Sequence, residues 1–155
     1  MFASSGLGIR LFFSEVLDSI ECSYPGLCDL DRDGSADDTF DQAWLQDLFT
    51  AVDTFTDTYD VPVAVNEFGL MRWEPGGDQF MDDEMALMEE RGINYALWMW
   101  DPSWYTWTQH LNAFNFRFGP DPANTTQVPT NALQLVIEGY WGQNTMYPSV
   151  ASQEE

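Results

Sequence analysis

Lysine is absent from this chain. Its positive charge rests on five arginines, set against 26 aspartates and glutamates, for a formal net charge of -21. Such a surface repels a phosphate backbone, which excludes nucleic acid as a partner. Histidine occurs once, as His110. No run of about 18 apolar residues exists, so neither a membrane-spanning helix nor a membrane partner is expected. The opening stretch MFASSGLGIRLFF lacks a basic segment followed by a long apolar core, and no signal peptide is read there. Cysteine is limited to Cys22 and Cys28 in CSYPGLC. Across that Pro-Gly turn the two can close a small loop, as suits a secreted protein, or remain two thiols.

What is present suffices for a folded domain. Apolar residues make up 45 % of the 155 positions and aromatics 15 %, which excludes a disordered tail and allows one domain over 1–155 with a sizeable core. The excess of acid fits an ordinary acidic extracellular enzyme. It also fits adaptation to high salt (a halophilic chain), where screening shortens the reach of self-repulsion.

Periodicity gives a coarse map. GIRLFF reads as a strand, and 21–38 reads as an aspartate-rich loop. TFDQ offers Thr39 as a helix cap, with Gln42 completing a capping box. The helix after it places Trp44, Leu45, Leu48, Phe49, Val52 and Phe55 on one face and ends near Tyr59. Val61 to Asn66 reads as a strand, apolar without alternation, as in a parallel strand covered on both faces. Asp78 can cap a second helix that carries Phe80, Met81, Met85 and Met88 inward and stops at Gly92. INYALWMW is a further strand, which makes a βαβ unit. Residues 101–130 read as a long loop carrying Trp104, Tyr105, Trp107, Phe114, Phe116 and Phe118. The stretch from Asn131 on reads as an amphipathic helix with Leu133, Val136 and Tyr140 on one side.

One stretch raises a chemical question. VPVAVNEFGL runs from an apolar strand into Glu67, and a carboxylate there is costly unless something needs it. In parallel α/β folds chemistry gathers at the carboxyl ends of strands. The following strand ends in Trp98, Met99 and Trp100. A carboxylate beside indoles suits a sugar, whose apolar faces stack on rings while the carboxylate meets the anomeric carbon.

PVAVNEFG followed by GINYALWMW resembles the seventh and eighth strands of family-5 glycoside hydrolases, the cellulase-type (β/α)8 barrels. The resemblance implies an α/β fold, here a partial TIM barrel comprising strands 6, 7 and 8 with their helices. It implies Glu67 as catalytic nucleophile, with Trp98 lining the subsite beside the scissile bond and Trp100 as second choice. The family's acid/base, a glutamate in an Asn-Glu-Pro turn, has no counterpart here, and a full barrel needs about 200–250 residues. A missing N-terminal half is therefore expected as partner, with a carbohydrate as substrate, extracellular location and no cofactor.

Other candidates are weaker. Glu74 is a second carboxylate, read as a solvated loop residue. Trp73, in the loop after the nucleophile strand, is a substrate-binding candidate, whereas Trp44 is read as core. In DLDRDGSADDTFD, Asp29, Asp31, Asp33 and Gly34 match the first positions of a calcium loop, but Phe40 stands where the last acid belongs. Asn124 begins a glycosylation sequon. The competing reading is a non-catalytic carbohydrate-binding or calcium-binding module, which would not require Glu67 at a strand end.

Overall fold

The computed structural model describes residues 8–12 (backbone only), 22–31, 33–99 and 112–143. The chain is mixed α/β. Five strands occur among the described residues: β1 Gly8–Phe12, β2 Gly26–Cys28, β3 Asp38–Phe40, β4 Ala64–Gly69 and β5 Asn94–Leu97. Three longer helices are α1 Gln42–Tyr59, α2 Gly77–Glu90 and α3 Ala132–Trp141. A parallel sheet has the order β1-β4-β5, while β2 and β3 form a separate antiparallel pair. That pair occupies part of the region read as loop, beside the Cys22–Cys28 disulfide.

Helix boundaries follow local chemistry. The α1 cap is Asp41, whose side chain accepts from the Trp44 amide at 3.1 Å, and not Thr39, which lies in β3. Gln42 becomes the first helical residue, and its side chain donates to Asp83 instead of closing a capping box. On the inner face Leu45, Phe49 and Val52 are buried, with Trp44 and Phe55 partly so. The cap of α2 is Gly76, in the left-handed region at φ 77°. A Cβ there would fall 1.5 Å from the Tyr24 carbonyl oxygen, so only glycine fits. Asp78, expected as cap, sits in the first turn, where its charge still favours the helix dipole. Past Arg91 the chain turns at Gly92 (φ 62°), and the Ile93 amide returns to the Met88 carbonyl. Asn131 caps α3 by accepting from the Gln134 amide.

The strand carrying Glu67 differs from its sequence reading. It begins three residues later than Val61 and runs through Glu67 to Gly69. Against β1, Ala64 pairs with Gly8 and Glu67 with Arg10; against β5, Val65 pairs with Tyr95 and Phe68 with Leu97. In both ladders β4 holds one residue more than its partner, which places a bulge at 65–67. Val63 and Val65 are buried before it, and Phe68 and Leu70 after it. Each pair keeps a spacing of two, and the bulge slips the phase by one between them. This explains the missing alternation. The strand buries one face, with a phase slip, rather than two.

The buried face packs on the helices. Val65, Phe68 and Leu70 share a core with Leu45 and Phe49 of α1, Met81, Met85 and Met88 of α2, and Ile137 of α3. Tyr95 and Leu97 of β5 pack against the same core. Asn66, Asn94 and Ala96, which alternate with them, are exposed.

Candidate functional site

The carboxyl ends of β4 and β5 meet. The Trp98 amide donates to the Phe68 carbonyl at 2.8 Å, and an ideal Cβ on Gly69 would lie 2.4 Å from the Trp98 carbonyl oxygen. The Trp98–Met99 peptide is cis. The glycine of NEFG is thus required by the backbone of the next strand's end, which brings Trp98 to the end of β4 that carries Glu67. Glu67 is half-buried at the bulge. Bulges re-aim side chains and concentrate beside active sites.

A small apolar cluster lies past these strand ends. Met99, Ala113 and Phe114 are buried in it, with Met71, Trp73 and Trp98 packed against them. Trp73 and Trp98, both read as sugar platforms, therefore share one cluster and are each half-buried. Trp100, the third platform, and His110 lie outside the described residues. Of the long aromatic loop, the described part holds a helical turn at 112–114 and a 3-10 turn at Phe116–Phe118, with Phe116 buried in the main core.

Beside Trp73, a cavity of about 250 Å³ opens between the β4–α2 loop and the start of α3. Glu74, Pro75, Asp78, Pro120 and Asn131 contribute to its lining, and Glu67 does not. Glu74 is half-buried, and that burial pushes its carboxyl above the usual range.

Two residues that sequence reasoning passed over stand out. Arg72, three residues past the end of β4, is buried. Its guanidinium donates to the carbonyls of Asn112, Gly119, Asp121 and Asn124 and to the Asn112 side chain. It lies over the rings of Trp73 and Phe118, 5.4 Å and 5.7 Å from their centres. Burial lowers its pKa, and Asp121 partly restores it. Glu84 of α2 is wholly buried, with no hydrogen-bond partner for either carboxylate oxygen. Desolvation pushes its pKa up to about 8. Both carried a signal: Arg72 is one of only five basic residues, and Glu84 falls at i+4 from Phe80 and i-4 from Met88, on the inward stripe.

The aspartate loop is regrouped. Asp29, Asp31 and Asp38 bring carboxylate oxygens within 4.8 Å of one another, and Asp33 of the sequence motif is replaced by Asp38 across the β2–β3 pair. Asp29 accepts from the Asp33 and Gly34 amides, and Asp38 from those of Leu30 and Asp31. The Asp33 amide lowers the Asp31 carboxyl, but desolvation and the charges of Asp33, Asp38 and Asp29 leave it raised. Crowded oxygens of this kind suit a hard cation such as calcium.

Among the described residues no helix is long and apolar enough to cross a membrane. No protein-family model and no curated protein sequence matches the chain.

Proposed function

We propose that this chain is the C-terminal part of a retaining glycoside hydrolase barrel acting on a β-linked glycan, with Glu67 as nucleophile and Trp98 as sugar platform. The observation that carries the reading is the junction at Gly69. It joins a bulged strand end bearing a half-buried carboxylate to the end of a parallel neighbour bearing an indole. Parallel strands are normally covered on both faces, whereas here Asn66, Asn94 and Ala96 are exposed opposite the helical core. A sheet of that kind fits a barrel whose remaining strands come from a preceding segment.

In such a site the ionised Glu67 oxygen attacks the anomeric carbon as the bond to the leaving oxygen breaks, forming a glycosyl ester. A second carboxyl group, supplied by the missing half, protonates the leaving oxygen. It then removes a proton from the water that attacks the anomeric carbon and releases Glu67. Trp98 supplies a flat apolar surface for the ring.

The test joins the chain to its N-terminal half. A 2-fluoro-glycoside should label Glu67 covalently, and Glu67→Ala should lower the rate by several orders of magnitude. Label on Glu74, or robust hydrolysis by the 155-residue chain alone, would overturn the assignment.

A further inference from the structure

Arg72 is a buried cation whose hydrogen-bond partners are all neutral oxygens. Burying a guanidinium is costly unless each donor is satisfied. Here the donors are met by carbonyls gathered from 112–124, together with the Asn112 side chain. The Arg72 backbone amide adds a bond to the Ala113 carbonyl at 2.9 Å. Asn112 reinforces the arrangement by donating to the Pro122 carbonyl. A single side chain, three residues past the strand end, thus gathers a segment that is distant in sequence. That segment delivers Ala113 and Phe114 against Trp73 and Trp98, and the guanidinium itself lies over the Trp73 ring.

We infer that Arg72 is a positioning residue for the aromatic floor of the cleft: it fixes the 112–124 segment and, through Ala113 and Phe114, sets the orientation of Trp73 and Trp98. Only the purpose of that floor rests on the glycan reading. A lysine would keep the charge but lose the planar fork that reaches several carbonyls together.

The experiment compares the full chain with Arg72→Lys, Asn112→Ala and the control Arg91→Lys. Arg91 stacks on Phe49 and pairs with Asp53 away from this cluster. Thermal midpoints are read beside the indole resonances in proton–nitrogen correlation spectra and the fluorescence titration with cellohexaose and mannohexaose. Arg72→Lys and Asn112→Ala should move the Trp73 and Trp98 indole resonances and weaken hexaose binding at least tenfold. Arg91→Lys should lower the midpoint and leave both indoles in place. Should Arg72→Lys fail to fold, Asn112→Ala carries the test alone. Unmoved indoles in a folded variant overturn the inference, even where the wild type binds sugar. Shifted indoles support it whether or not the chain binds either hexaose, because the glycan reading stands or falls on the joined barrel.

Discussion

The carbonyl oxygen of Trp98 stands 2.4 Å from where a β-carbon of residue 69 would be, so Gly69 and Trp98 determine each other. Gly69→Ala should cost about 1–3 kcal/mol, as overpacking against a backbone atom does. Gly92 is the comparison: its φ is 62°, but nothing lies within 4 Å of the added carbon. Gly92→Ala should cost about 1 kcal/mol, from backbone conformation alone. Urea midpoints of the two variants should fall in that order, and the reverse order would contradict the contact.

Glu84 gives a pH dependence of definite sign. Its folded pKa is raised to about 8 from 4.5 by burial. The folded state therefore holds a proton that the unfolded state releases. The associated stability is complete below the unfolded value near 4.5 and is lost as pH rises through the folded value near 8. Glu84→Leu should raise the thermal midpoint more at pH 8.5 than at pH 4, flattening the profile. An unchanged slope in the variant would remove Glu84 as its cause.

Salt should act on the same fold through the surface. With a formal charge of -21 and no lysine, long-range repulsion is relieved by screening, and the thermal midpoint should climb steeply between dilute buffer and molar sodium chloride. Among the described residues the Arg91–Asp53 pair, at 2.9 Å, would lose strength over that range, but one half-buried pair is worth well under the collective effect. A flat midpoint would exclude adaptation to salt.

Trp98 and Trp44 should separate function from packing. Trp44 packs edge-on against Phe40 in the main core, whereas Trp98 belongs to the strand-end cluster. On the proposed glycosidase reading, with the chain joined to the N-terminal half that reading requires, Trp98→Ala should impair hydrolysis far more than Trp44→Ala at matched stability. Equal effects would assign Trp98 to packing alone.

Much of the scaffold was legible in periodicity. The α1 face, the methionine stripe of α2 and the strand–helix–strand order follow from spacing alone. The cap of α1 was misplaced because TFDQ fits a capping box while Phe40 and Thr39 were already committed to pairing with Gly26 and Leu27. A nonlocal pairing of that kind leaves no local signature. Of the candidate site, Glu67 and Trp98 stood out by residue type, and they lie within β4 and just past β5. The role of Arg72 depends on carbonyls 40 to 52 residues away, none of which its own neighbourhood announces.

The extra residue of β4 also governs how this strand can be compared or rebuilt. Any superposition on a regular strand must open a one-residue gap between Val65 and Glu67, or every position beyond it falls on the wrong side. Forcing every residue into a regular ladder would ask Phe68 and Leu70 to exchange the helical core for the opposite surface, whereas excising Asn66 would straighten the ladder and keep both inside. Splicing the unaltered segment into another sheet would therefore succeed only where the recipient tolerates the same interruption, which makes the bulge, more than the glutamate it carries, the part that a recipient must accommodate.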